Sequence, residues 1–336
     1  MLGWQSQISI RVSRYVKGTS VNQRPSPKTA QCKSLRFRVT PHDARDRVCP
    51  WMRTVLMACP VLLLTLIPGC LDARSESVTN LASMRRDDLS GSLTVTGSST
   101  IAPLMNEAAR RFEELHPGVR IDVQTGCSAR GLTDVRNGLA DIGMVSRELL
   151  PEESDLTGRV IAHDGVCMIV HATNPLTALS SQQVQQIYTG ELTNWMLLDG
   201  PDAAITVISK AAGRSTLDVF VRHFRLKARD IDADVITGDN EQGMKTVAGN
   251  PDSIAYVSIG AALQNVERGT ALKLLTLDGV TPSTESVADG TFPIMRELNL
   301  VTFGEPGPLA RALLEFAVSD DVADLVEGLG FVPAVE

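Results

Sequence analysis

The chain has 336 residues and an ordinary apolar content of 43 %, a length that suits two lobes plus a leader better than one small domain. Aromatic residues make up only 4 %, which weighs against sugar, peptide and single-stranded nucleic-acid sites, where ligands stack on rings. The net charge of −7 is unevenly spread: residues before Val55 hold eleven Lys and Arg against Asp43 and Asp46, so the rest of the chain carries −16. That acidic body excludes a general nucleic-acid role, and an anion there has to be held by local dipoles and a few placed cations.

Residues 1–51 are basic, contain Ser, Gln and Pro, and lack a periodic apolar pattern. They read as a disordered leader or as an artefact upstream of a start at Met52. Residues 52–69 read as a signal peptide: Arg53 precedes an apolar run from Val55 to Gly69, shorter than the roughly 20 residues a membrane span needs. Leu66-Ile67-Pro68-Gly69-Cys70 resembles a bacterial lipobox, which implies cleavage before Cys70 and a lipid on its sulfur. An ordinary cleaved signal with an incidental cysteine is the alternative. Residues 70–91, polar and charged, then serve as lipid anchor and tether.

The body begins with alternation over Ser92–Thr96, a strand that runs into Gly97-Ser98-Ser99-Thr100. Ile101–Leu115 has helical spacing, with Leu104, Ala108 and Phe112 in one stripe, and His116-Pro117-Gly118 stops it. Val119–Gln124 is a second strand, Gly126–Gly131 a glycine-bearing loop, Leu132–Gly138 a short helix, and Asp141–Val145 a third strand leading to Ser146-Arg147. This is an α/β layout with a largely parallel sheet. In such sheets ligands lie beyond the strand C-terminal ends, where all three polar loops fall. Val160–His171 is a strand-rich run that crosses to a second lobe. Ser180–Tyr188 is a helix with Ser180 and Gln183 as its cap. Ala204–Ser209 is a strand, Gly213-Arg214-Ser215-Thr216 opens a helix through Phe224, and another strand lies near Val235. Ile254–Ser258 is a strand returning to the first lobe, and Leu309–Val318 and Val322–Leu329 are C-terminal amphipathic helices.

A strand that feeds a helix through small hydroxyl residues is a physical anion trap. The first helical N–H groups lack internal partners, the helix dipole adds about half a positive charge, and hydroxyls donate further bonds. The arrangement occurs at Ser98-Ser99-Thr100 and again at Gly213–Thr216. Ser128 and Ser146-Arg147 can add donors. Each motif alone is more often a simple N-cap; their coincidence at strand ends is what points to a small tetrahedral oxyanion. No metal-ligand spacing appears, the five histidines are scattered, and no cofactor is implied. Cys127 and Cys167 can pair in an oxidising compartment or stay free; their spacing does not decide.

Six stretches in order, Val95–Leu104, Gly126–Gly131, Gly138–Arg147, Gln186–Trp195, Lys210–Thr216 and Asn250–Val257, resemble the phosphate-binding component of bacterial phosphate ABC transporters. The run Ile187-Tyr-Thr-Gly-Glu-Leu-Thr-Asn-Trp195 is especially characteristic. The resemblance implies a two-lobed type II periplasmic-binding-protein fold, each lobe a mostly parallel sheet flanked by helices, joined by two crossover strands. Lobe 1 would comprise 92–167 and 257–336, and lobe 2 168–256. It implies ligand contacts from Ser99, Thr100, Ser128, Ser146, Arg147, Arg214, Ser215 and Thr216. It also implies an exported, periplasmic or cell-surface monomer that binds phosphate and hands it to ABC permease subunits. The chain departs from the family's pattern at Lys210, where an arginine is common, and at Arg214. Ser146-Arg147 stands where some members have a carboxylate that accepts the proton of hydrogen phosphate. Sulfate, molybdate or arsenate, or a sensory role, are therefore alternatives. A serine hydrolase or phosphatase using Ser99 or Ser128 is disfavoured, because no Gly-x-Ser-x-Gly elbow is present and no metal-ligand cluster accompanies them.

Overall fold

The computed structural model describes residues 89–334. The leader, the signal segment and Cys70 lie outside the described residues. Among those described, no helix is long and apolar enough to cross a membrane.

The chain opens with β1 (Ser90–Ser98), α1 (Ala102–Leu115), β2 (Gly118–Gly126), α2 (Ser128–Arg136), β3 (Ile142–Val145) and the long β4 (Leu156–His171). It continues with β5 (Ala178–Leu179), α3 (Ser181–Tyr188), β6 (Thr206–Lys210), α4 (Ser215–His223), β7 (Val235–Thr237), α5 (Asn240–Gly249), β8 (Ser253–Ser258), α6 (Ile259–Glu267), β9 (Leu272–Leu274), β10 (Thr276–Leu277) and α7 (Thr284–Ala288). It closes with β11 (Met295–Phe303), α8 (Pro308–Phe316), α9 (Ala323–Gly328) and β12 (Val332–Pro333). The sheet order is β2-β1-β3-β11-β4-β8-β6-β7. β1 is parallel to β2 and β3, and β6 is parallel to β7 and β8. β11 runs antiparallel to β3 and β4, and β4 antiparallel to β8.

Local chemistry accounts for the elements around the first sheet. Pro103 sits in the first turn of α1, where its missing N–H costs nothing. Leu104, Met105, Ala108 and Phe112 bury one stripe of that helix. Gly97 has φ +132°, and a Cβ there would lie 2.4 Å from the carbonyl oxygen of Met144. Only glycine lets β1 lie this close to β3 just before the chain turns into α1. The expected loop at Gly126–Gly131 is instead the end of β2 and the first turn of α2, which starts at Ser128.

β4 has 16 residues, roughly 50 Å of extended chain. Leu156–Gly165 pairs with β11, and Val166–Val170 pairs with β8. Two main cores follow from this division. Val95, Leu104, Phe112, Ile142, Met144, Ile161, Leu298, Leu300 and Leu313 form one, with a smaller cluster around Leu132, Val145 and Val301 under α2. Val166, Ile169, Tyr188, Trp195, Phe220, Tyr256, Leu275 and Ile294 belong to the other. In it the rings of Phe220 and Tyr256 stack with centroids 4.0 Å apart.

The chain passes between cores twice, near Gly165/Val166 and near Ile294/Met295. These crossings are neighbours: Val166 N–H donates to the Ile294 carbonyl at 2.9 Å, and Met295 is in register with Gly165. The return therefore comes about 40 residues later than the expected boundary at Val257. Ile254–Val257, Ile259, Ala262, Leu272 and Val287 all pack in the second core, because β8 pairs with β4 and β6 rather than with the first sheet. Cys127 and Cys167 are both free, and burial pushes the Cys167 thiol well above its ordinary value.

Candidate functional site

Five strands end around one small cavity. β1 delivers Ser98, Ser99 and Thr100; β2 delivers Cys127 and Ser128; β3 delivers Ser146. From the opposite wall β6 delivers Lys210, Arg214, Ser215 and Thr216, and β7 delivers Gly238, Asp239 and Asn240. The cavity is small, about 10 Å³, far below the roughly 300–1,000 Å³ that holds larger organic ligands. Of the residues expected from sequence, Ser99, Thr100, Ser128, Ser146, Arg214, Ser215 and Thr216 are brought together here.

Three helices, α1, α2 and α4, point their N-termini at this space, and none has a side-chain cap. Of the other helices, α3, α5, α6 and α7 are capped by Ser180, Asp239, Ser258 and Ser283, and α8 and α9 have no side-chain cap. Leaving three helix starts uncapped around one cavity leaves free N–H donors and positive dipole ends directed at whatever sits inside.

The hydroxyls are prepared in the same sense. Thr100 Oγ1 accepts from Arg296 Nη2 and from Asn240 Nδ2, each at 3.3 Å. Thr216 Oγ1 accepts from Arg296 Nη1 at 3.1 Å. Ser146 Oγ accepts from Ser98 Oγ at 2.9 Å, and Ser128 Oγ accepts from the Ser146 N–H at 3.2 Å. Ser99 Oγ accepts from Arg214 Nη1 at 3.3 Å. A hydroxyl has one proton and two lone pairs. With their oxygens occupied as acceptors, these groups have their protons left to donate. The Ser215 hydroxyl is buried and makes no hydrogen bond to the described residues, so its proton too is left to donate.

Arg296 was not legible as a site residue. It lies on β11 in register with Asp164 on β4, and both side chains are fully shielded from solvent. Its Nε and Nη2 donate to Asp164 Oδ2 at 3.0 and 2.7 Å, and its remaining N–H groups reach Thr100 and Thr216 on opposite walls. A single guanidinium at the crossing thus braces both sides of the cavity. Across the cavity Arg214 also donates to the Gly126 carbonyl, at 2.5 Å, and Ala129 N–H donates to the Gly213 carbonyl at 3.3 Å.

Arg147 behaves otherwise than expected. It is buried but does not line the cavity. Its fork grips both oxygens of Glu153 at 2.7 and 2.8 Å, and its Nε reaches Asp218 Oδ2 at 3.3 Å. A planar guanidinium meeting a carboxylate bidentately is already satisfied and turns away from Ser146. Burial alone would raise Glu153, but the Arg147 hydrogen bonds and charge hold it below the ordinary carboxylate range. The charged side chains on the cavity wall are instead Lys210, Arg214 and Asp239. Lys210 and Asp239 went unassigned from sequence, as did Asn240. Asp239 caps α5 by accepting from the Gln242 N–H at 2.8 Å, a start signal visible in the sequence as Asp followed by a helix.

With this geometry in hand, similarity to known proteins is informative. The model of the PBP superfamily domain matches residues 83–321. The chain belongs to the PBP superfamily. The PBP match includes both walls of the cavity and the bracing Arg296. The chain is 29 % identical over 293 residues to the phosphate-binding protein PstS of Bacillus subtilis, covering 84 % of this chain and 95 % of that one. It is 38 % identical over 121 residues to the phosphate-binding protein PstS 2 of Streptococcus pneumoniae, covering 36 % of this chain and 42 % of the relative. A solved structure from Clostridium perfringens, described as a phosphate ABC transporter substrate-binding protein with bound phosphate, superposes with a TM-score of 0.68 at 29 % identity. That match covers 73 % of this chain and all of the other. An ABC-type phosphate transport receptor from Vibrio cholerae superposes with a TM-score of 0.61 at 25 % identity, over 72 % of this chain and all of the other.

Proposed function

We propose that the chain binds phosphate outside the cytoplasmic membrane and delivers it to an ABC-type importer without chemical turnover. The observation that carries this reading is the set of cavity hydroxyls whose oxygens already accept from Arg296, Asn240, Ser98, Ser146 and Arg214. Such hydroxyls donate well and attack poorly, which suits holding an oxyanion rather than cleaving one. Asp239 is the one carboxylate among the lining residues. It offers an acceptor to a protonated oxyanion and repels a fully deprotonated one, which favours hydrogen phosphate over sulfate. The names of the relatives in Bacillus subtilis and Streptococcus pneumoniae, and the phosphate bound in the Clostridium perfringens protein, support the same ligand.

In this reading the two cores are lobes that close on the anion about the adjacent crossings at Gly165/Val166 and Ile294/Met295. Cys70 carries the lipid that keeps the monomer beside its permease. Calorimetric titration of the purified protein with phosphate, sulfate, molybdate and arsenate tests the ligand. Tight phosphate binding with weaker sulfate binding is expected. No detectable heat with any of the four rejects the reading, and tighter binding of another anion reassigns the ligand.

A further inference from the structure

Lys210 is an unusual cation. It ends β6, is only 4 % exposed, and lines the anion cavity. Its Nζ donates to the main-chain oxygen of Asp239 at 2.6 Å and to Thr237 Oγ1 at 3.4 Å, both uncharged acceptors. The Nζ packs against α5 where Gly243 leaves room for it: a Cβ there would lie 2.8 Å away. The charged groups around it come from four elements. Arg214 at the start of α4 and Arg296 on β11 oppose its charge, and the Asp239 carboxylate at the start of α5 favours it. Asp164 on β4 is committed to Arg296. From β8 the Tyr256 hydroxyl accepts the Lys210 main-chain N–H at 3.1 Å and stays uncharged, pushed up to about 12 by burial.

A buried amine beside two guanidiniums, with the Asp239 carboxylate opposing them, is shifted toward its neutral form, and an arriving oxyanion reverses that shift. We propose that Lys210 is a proton switch in the anion site: shielded from solvent at the cavity wall and hydrogen-bonded to uncharged acceptors, it takes a proton from solvent as the oxyanion enters. The inference rests on the oxyanion reading of the site and not on which oxyanion binds. Burial, opposed by Asp239 and aided by the two arginines, brings Lys210 down to about 7. Below that pH the lysine is charged with or without ligand, and it adds no pH dependence. Above it, binding must draw in a proton. Apparent affinity then falls by up to about tenfold per pH unit until the value of the occupied site is passed. An arginine at this position stays charged throughout and removes the dependence.

The test is calorimetric titration of the purified protein with inorganic phosphate between about pH 6 and about pH 9, around the expected transition. Two buffers of different ionisation enthalpy count the protons taken up, and Lys210→Arg and Lys210→Met serve as references. Phosphate's own protonation is common to all three proteins. The expected result is an uptake at alkaline pH that exceeds that of both variants, approaching one extra proton per anion, with a steeper loss of affinity in the wild type alone. Equal proton counts and parallel pH profiles in wild type and Lys210→Arg would overturn the switch while leaving phosphate binding intact. If both variants fail to bind, the Cε resonance of Lys210 in the wild type decides. It should titrate near neutrality without anion and higher with phosphate; a lysine charged across the whole range contradicts the proposal. Failure of the wild type to bind phosphate at any pH is a different outcome, and it rejects the functional reading itself.

Discussion

Replacing Thr100 with valine keeps the shape of the side chain and removes one oxygen. In the empty protein that oxygen accepts from Arg296 Nη2 and Asn240 Nδ2, so Thr100→Val leaves two buried donors short of an acceptor, at a stability cost of about 1–3 kcal/mol. With the anion bound, the valine also lacks the O–H that would donate to it, a charge-assisted bond worth about 1.5–3 kcal/mol. The loss of the Arg296 and Asn240 bonds is common to the free and bound states and largely cancels in the dissociation constant. The lost ligand bond does not cancel, and Kd should rise by about 10- to 150-fold. Calorimetry reads the affinity and thermal unfolding reads the stability, so the two effects separate. A variant that melts earlier yet binds phosphate within about twofold of wild type (less than about 0.5 kcal/mol) would show Thr100 to be structural, and the account of the hydroxyl cage would be wrong.

The other predictions follow from the charges. Arg147→Met should lower stability by about 3–5 kcal/mol, because it strands the buried Glu153 carboxylate, yet weaken phosphate by less than about tenfold; a larger loss of affinity would return Arg147 to the binding site. Asp164→Asn removes the counter-ion of a fully shielded guanidinium and should cost about 3–5 kcal/mol in a denaturant titration, part of it recovered when phosphate is added. The ligand-free wild type should gain stability as pH rises from about 7, the folded value of Lys210, toward its ordinary 10.5. In that window the unfolded lysine binds a proton that the folded one lacks, so the slope is positive and reaches about 1.4 kcal/mol per pH unit. Lys210→Met should flatten that rise, and an unchanged pH–stability curve would count against the assignment.

Much of the first sheet was legible because its local patterns agree with its tertiary role. β1, α1, β2 and β3 alternate or repeat at the period they adopt, and Leu104, Ala108 and Phe112 face the core as their spacing implies. The turns around Thr100 and Thr216 were legible as helix starts for the same reason, since a helix start is a local signal. What stayed hidden is long-range. β11 reads as a strand only once Leu298 and Leu300 are seen to pack against β4, and its buried Arg296 contradicts the usual exterior place of arginine. The partner that makes it tolerable, Asp164, lies 132 positions away. Arg147 follows Ser146 at the end of β3, and nothing local announces that Glu153 and Asp218 capture it. α5 was obscured by Gly243 within it and Gly249 at its end, which weaken a helical pattern, and with it went Asp239 and Asn240. The later crossing near Ile294 follows from the β4–β8 pairing, which no stretch of sequence declares.

The central claim is that seven hydroxyl and guanidinium groups, presented by three uncapped helix starts and their neighbouring strand ends, converge on one oxyanion. A crystal structure grown with phosphate tests it most directly. The account predicts a tetrahedral ion within hydrogen-bond reach of Ser99, Thr100, Ser128, Ser146, Arg214, Ser215 and Thr216, with Lys210 beside it and Arg147 still gripping Glu153. Phosphate bound at Arg147 instead, or a cavity that stays empty at saturating phosphate, would contradict it.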